Sequence, residues 1–239
     1  MKKELDEVGR IATPSRSSYF GIVDLAGFKK DRFYLYQARW RPELPMAHIL
    51  PHWNWPGRVG QVTPVHVYTS GDEAELFLNG KSLGRKARGP LEYRLHWDEV
   101  VYEPGKLKVV AYKAGHKWAT ETVKTAGAPA KLLLRADRKK IRADGWDLSY
   151  VTVTVADKQG RQAPRARNHV KFELEGPGEI VATDNGDATS FEPFQAPERN
   201  AFNGLALVIV RAKAGQPGAL RLKATSDGLK EATVKITSR

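Results

Sequence analysis

Residues 150–155 read Tyr150-Val151-Thr152-Val153-Thr154-Val155, and this alternation constrains the fold more than any other feature of the chain. Successive side chains of an extended strand point to opposite faces, so Val151, Val153 and Val155 share one side. β-Branched residues also suit a pleated, half-buried surface. The run therefore reads as a strand with one face in a core. It does not stand alone. Residues 170–174, 179–183, 205–212, 220–224 and 232–236 are further strand runs. Turn residues separate them: Asp157-Lys158-Gln159-Gly160, Gly176-Pro177-Gly178, Asp184-Asn185-Gly186-Asp187, Gln216-Pro217-Gly218 and Asp227-Gly228. This spacing predicts an immunoglobulin-like β-sandwich over residues 127–239. Residues 188–203 read as a long loop held down by Phe191, Phe194 and Phe202.

A second series precedes it. Residues 48–55 are apolar and aromatic between Pro45 and Pro56, and residues 65–69, 74–78, 91–97, 107–112 and 118–125 are short β-rich runs. Asn79-Gly80 is a strong hairpin signal, because a two-residue hairpin turn needs positive φ at both positions. About seven such strands predict another sandwich. Gly127-Ala128-Pro129-Ala130 reads as the linker between the two series. Residues 1–45 are irregular, punctuated by Pro14, Gly21 and Gly27, except at residues 31–40. There Phe33, Tyr36, Gln37 and Trp40 follow helical spacing, and Arg41-Pro42 closes the run. A helix this short needs a surface to pack on. The expectation is an all-β chain of two immunoglobulin-like β-sandwich domains in tandem, 46–126 and 127–239, preceded by a short helical segment, 1–45.

The chain has no cysteine, which removes disulfides, thiolate nucleophiles and cysteine-ligated zinc. No apolar run approaches the roughly 18 residues of a membrane-spanning helix, so no membrane partner is expected. Residues 1–7 are charged and lack the apolar stretch of a signal peptide. The net charge of +12 raises nucleic acid or another anionic polymer as a partner. The charge is evenly spread, however: residues 1–120 hold 19 Lys and Arg against 13 Asp and Glu, and residues 121–239 hold 20 against 14. The densest group, Arg135, Arg138, Lys139, Lys140 and Arg142, has no interleaved aromatics on which bases could stack. A solvated basic surface is the preferred reading, with nucleic acid an alternative.

Several motifs resemble catalytic or metal sites. Gly80-Lys81-Ser82-Leu83-Gly84 fits the nucleophile-elbow pattern, but the elbow needs a helix after the serine, and residues 85–90 cannot supply one. His48 and His52 have the helical spacing of a zinc pair, yet Pro45, Pro51 and Pro56 argue against a helix there. Glu173 and Glu175 would share a strand face at roughly 6–7 Å, within reach of glycosidase geometry. Phe172 and Leu174 take the other face, so the glutamates read as its solvated side, as do Glu73 and Glu75. Asp184-Asn185-Gly186-Asp187 offers oxygen ligands but not a complete calcium loop, and an Asx-type turn is preferred. No metal and no cofactor is expected. His52-Trp53-Asn54-Trp55 is an aromatic cluster in which Trp53 and Trp55 are the candidate carbohydrate-binding residues. Packing at a domain junction is the preferred reading, and Trp97, Trp118 and Trp146 are further candidate platforms.

Taken together, several segments resemble bacterial glycoside hydrolase family 2 enzymes of the β-galactosidase type. Residues 15–28 and 30–36 resemble the end of the catalytic barrel, residues 48–55 the start of the next domain, and residues 75–84 its middle. Residues 127–130 resemble the junction to the last domain, whose marker segments are similar to residues 184–187, 192–194 and 199–204. The resemblance implies that residues 1–45 are the remnant of a (β/α)8 barrel, with its last helix at 31–40. It implies a parent that is a multidomain, exo-acting, retaining glycosidase of the periplasm or extracellular space. Both catalytic glutamates of the family lie before the segment matching residues 15–21, so no catalytic residue is carried over and the chain alone is expected to be inactive. Residues 1–13 depart from the family and read as a new start or a cut end. The expected role is accessory: to brace the barrel, its partner. Carbohydrate binding through tryptophans is the alternative, and a barrel-less helix would leave Phe20, Phe28, Phe33, Tyr36 or Trp40 open to self-association.

Overall fold

The computed structural model describes residues 17–239. The expectations for residues 1–16, including the departure at 1–13, lie outside the described residues. The chain divides into two compact units, Lys29–Ala126 and, together with residues 17–28, Gly127–Arg239. Both are built almost entirely of antiparallel strands.

The unit Lys29–Ala126 opens with a helix, Asp31–Trp40, followed by β1 (Ala47–Leu50), β2 (Val65–Thr69), β3 (Glu73–Leu78), β4 (Lys81–Ala87), β5 (Leu95–Trp97), β6 (Lys106–Lys113) and β7 (His116–Lys124). They form a three-stranded sheet, β1-β2-β5, and a four-stranded sheet, β4-β3-β6-β7. One core fills the space between them, with Trp53, Val65, Val67, Leu76, Trp97, Tyr102, Leu107 and Val109 fully or almost fully buried. Asn79 and Gly80 take φ of 51° and 89°, the left-handed pair that turns β3 into β4. The run at residues 48–55 is strand only as far as Leu50, because Pro51 has no N–H to donate to the ladder. The helix meets its expected bounds, but its expected face is open. Tyr36 and Trp40 are exposed, whereas Ala38 is buried and the Tyr34 ring stacks 3.8 Å from His48 of β1.

The unit Gly127–Arg239 holds β8 (Lys131–Ala136), β9 (Lys140–Ile141), β10 (Leu148–Ala156), β11 (His169–Glu175), β12 (Gly178–Asp184), β13 (Glu198–Asn200), β14 (Leu205–Ala212), β15 (Gly218–Thr225) and β16 (Ala232–Ser238). A four-stranded sheet, β12-β14-β10-β8, faces a five-stranded sheet, β13-β11-β15-β16-β9, in which the β16 and β9 pair is parallel. The alternating run is the middle of the first sheet: Val151 pairs with Val208 and Val153 with Ala206. Its inward valines meet Val170, Phe172, Leu220, Leu222 and Ile236 from the second sheet. Each such side chain contributes about 1.5–3 kcal/mol by leaving water. The sheets and their shared core make a β-sandwich. The expected loop at residues 188–203 contains a strand, β13; Phe191 is more than half exposed, and a buried arginine holds the segment.

Candidate functional site

The paired sugar platform, the alternative reading of residues 52–55, does not form. Trp53 is fully buried, edge-on to Tyr102 at 4.9 Å, and its Nε1 donates to the Glu103 carbonyl at 2.9 Å. A covered indole offers no face to a ligand, so Trp53 is a core residue. Trp55 is half-buried, with its ring stacked 4.3 Å from His52 and its Nε1 donating to the His52 carbonyl at 2.7 Å. Trp97 is buried, and Trp118 is half-buried with its Nε1 donating to Ser70 Oγ at 2.8 Å. Trp146 is 81% exposed.

The other motifs resolve into structure. Ser82 lies in β4 and donates to Glu75 Oε1 at 2.6 Å; no helix follows it. Glu73 pairs with Arg85, and Glu75 also accepts from the Tyr112 hydroxyl at 3.4 Å. Glu175 lies 3.8 Å from Arg221, and Glu173 faces Lys223 across the ladder. His52 stacks on Trp55, while His48 sits apart from it in β1. No group of three or more metal-ligating side chains occurs among the described residues. In the basic group, Arg138 is 2.9 Å and Arg142 3.9 Å from Asp147, and Arg142 is also 3.2 Å from Asp144. Among the described residues no helix is long and apolar enough to cross a membrane.

Two ionic centres, one half-buried and one fully buried, were not legible beforehand. His48 Nε2 lies 2.9 Å from Asp31 Oδ1, and its Nδ1 lies 3.5 Å from Glu121 Oε1, at the limit of a hydrogen bond. Burial works against charging this imidazole, but the two carboxylates outweigh it and lift its pKa from 6.5 to about 9. Asp157 is fully buried in the turn after β10. Burial pushes its carboxyl up, but the N–H groups of Gly127 and Arg161 and the Arg161 guanidinium prevail and hold it at about 2.

The third centre gathers the segments that resemble family markers. Arg199 of β13 is fully buried. It donates to the carbonyls of Thr183 at 2.7 Å, Glu192 at 3.0 Å and Pro193 at 2.7 Å, and to Thr183 Oγ1 at 3.0 Å. The Glu192 carboxylate lies 3.5 Å away. This arginine thus ties β12, the 192–193 segment and β13 into one rigid corner. The 184–187 turn beside it is closed by its own side chains: Asp184 Oδ1 accepts from the Asn185 N–H at 2.7 Å and Asn185 Oδ1 from the Asp187 N–H at 2.9 Å. Gly186, at φ 77°, is packed so closely that a Cβ there would collide with the Asp24 carboxylate. Around this corner lies a concavity of about 270 Å³, lined by Arg167, Asn185, Asp187, Ser190, Glu192, Asn200, Ala201 and Phe202.

Residues 132–235 match the description of glycoside hydrolase family 2 C-terminal domain 5, and residues 60–119 match a domain of unknown function, DUF4982. The chain is 45% identical over 94% of its length to the beta-galactosidase BoGH2A of Bacteroides ovatus. The chain belongs to glycoside hydrolase family 2, in its C-terminal part. This family 2 chain is also 32% identical over 91% of its length to a beta-glucuronidase of Formosa agariphila. Its fold matches the crystal structure of a beta-glycosidase from Bacteroides vulgatus with a TM-score of 0.89 and 34% identity over 94% of the chain. The chain spans about a quarter of these proteins: 26%, 22% and 28% of their respective lengths.

Proposed function

We propose that this chain is the non-catalytic C-terminal region of a β-galactosidase-like glycosidase and that it braces the catalytic barrel of that enzyme. The parent hydrolyses terminal β-glycosidic bonds in the periplasm or after secretion. In this reading the helix Asp31–Trp40 is the last helix of the barrel, and the two units are accessory sandwiches, the second of immunoglobulin type. The observation that carries the reading is the open aromatic face of that helix. Tyr36 and Trp40 lie 4.8 Å apart, and Trp40 is 70% exposed, while the helix packs through Tyr34 and Ala38. Arg32, Leu35, Tyr36, Tyr68, Tyr93 and Arg94 line a shallow cavity of about 320 Å³. An aromatic surface of this kind fits a face that another domain covers. The printed activities of the relatives, beta-galactosidase and beta-glucuronidase, support a glycosidase parent. Hydrolysis needs two placed carboxyl groups, and the candidate pairs Glu73 with Glu75 and Glu173 with Glu175 belong to strand surfaces.

The test is a graft of this chain in place of the matching C-terminal quarter of BoGH2A. The graft should hydrolyse a chromogenic galactoside, and the pair Tyr36→Asp and Trp40→Asp should shorten its half-life on heating several-fold. An unchanged half-life would end the bracing reading. The isolated chain should show no turnover; activity abolished by mutating one of its own glutamates would end the non-catalytic one.

A further inference from the structure

We propose that the concavity beside Arg199 is a binding site for a single neutral pyranose ring. Its volume, about 270 Å³, is that of about nine liquid waters at roughly 30 Å³ each. This is below the range for drug-sized ligands, and suits one ring rather than an oligosaccharide.

Its walls are set before anything binds. The Asn200 amide is held at both ends: Nδ2 donates to Glu192 Oε1 at 2.9 Å, and Oδ1 lies 3.2 Å from His169 Nδ1. Asn185 is 3% exposed and donates to the Asn200 carbonyl at 2.8 Å. Ser190 donates to Glu192 Oε2 at 3.2 Å. Glu192 in turn lies against the buried Arg199 guanidinium. Asp187 spends one oxygen, Oδ1, on the N–H and hydroxyl of Thr189.

Arg167 stands outside this network. It is exposed and makes no hydrogen bond or ion pair among the described residues, although it lines the same concavity as two carboxylates. Its guanidinium presents five donors and no acceptor. A sugar hydroxyl both donates and accepts, so adjacent hydroxyls can bridge a guanidinium and a carboxylate. Phe202, half-buried, adds aromatic surface of the kind that packs on the C–H face of a pyranose. Arg199 already balances Glu192, so Arg167 and Asp187 are the remaining charges and leave no net positive charge to hold an anionic sugar. The site stands on this geometry alone, whether or not the chain braces a barrel.

The experiment is an NMR titration of the ¹⁵N-labelled full chain with methyl β-galactopyranoside, methyl β-glucopyranoside and methyl β-glucuronide. The neutral glycosides should shift the amides of Asn185, Asp187, Asn200 and Phe202, with millimolar affinity, and the glucuronide should bind no more tightly. Arg167→Ala should weaken binding about tenfold or more, as loss of a charge-assisted hydrogen bond does, with unchanged thermal unfolding. Asp187→Asn retains an acceptor for Thr189 and should weaken binding by a similar factor. Trp146→Ala should leave affinity unchanged. No shift with any glycoside, shifts confined to residues around Trp146, or tighter binding of the glucuronide would each overturn the proposal.

Discussion

The unit Lys29–Ala126 sets three rings within its aliphatic core, whereas the core of the unit Gly127–Arg239 is aliphatic but for one. Trp53, Trp97 and Tyr102 are buried in the first, beside Val65, Val67 and Leu76. The second has Phe172 as the aromatic member of a core otherwise made of Val, Leu, Ile and Ala. Polar anchoring differs in the same way. Trp53 fixes its ring with one hydrogen bond to a backbone carbonyl, whereas the aliphatic unit fixes its corner with a buried charge, Arg199. Aliphatic cores hold by area and shape; the buried polar groups then decide which loop arrangement is unique.

Removing each anchor tests that contrast. Trp53→Ala should have the largest effect, about 3–5 kcal/mol, because it deletes a fully buried indole whose cavity collapses only in part. Urea unfolding followed by fluorescence measures it, since Trp40, Trp55, Trp97 and Trp118 remain as reporters in the same unit. A loss under about 1 kcal/mol would mean that the ring core is replaceable. Arg199→Leu should cost about 3 kcal/mol, because the carbonyls of Thr183, Glu192 and Pro193 lose their donor while the leucine keeps some volume. Amide hydrogen exchange should show the loss first across β12, β13 and residues 185–197. Unchanged protection there would assign the corner to side-chain packing instead of the charge.

The same contrast explains what could be read from residues alone. Alternating valines announce an aliphatic sandwich, so β10 and β15 follow from period two, β14 from a long apolar, partly β-branched run, and Asn79-Gly80 from its turn chemistry. Strand β8 escapes because Leu132-Leu133-Leu134 does not alternate, and β13 because Glu198-Arg199-Asn200 looks like loop. Arg199 is inside only because carbonyls from two other segments converge on it, and no local pattern marks that. Tryptophan is ambiguous in another way. Its size favours burial and its flat face favours ligands, so Trp53 and Trp146 carry the same letter at opposite extremes of exposure. The concavity draws on residues 167, 185–192 and 200–202, which only the closed fold brings together.

The smallest predicted effect belongs to the ring-rich unit and is one of charge. In an unfolded chain the His48 imidazole titrates near 6.5; in the folded one, held by Asp31 and Glu121, it titrates at about 9. The folded state therefore binds this proton more tightly. Its contribution is fully present below pH 6.5 and disappears as the pH rises through about 9. Asp31 is largely exposed and screened by water, so the gap is worth about 1–2 kcal/mol. The stacked Tyr34 ring and the nearby Tyr68 ring limit water access to this site, and both phenols are themselves pushed up by burial, so they stay protonated across the window. Urea midpoints read by tryptophan fluorescence should fall between pH 6.5 and 9 for the native chain. His48→Gln should lower the midpoint below pH 6.5 and flatten the slope above it, whereas Arg199→Leu, in the aliphatic unit, should keep that slope. A slope that survives His48→Gln would move the titration to other groups and leave the contact between helix and β1 to stacking alone.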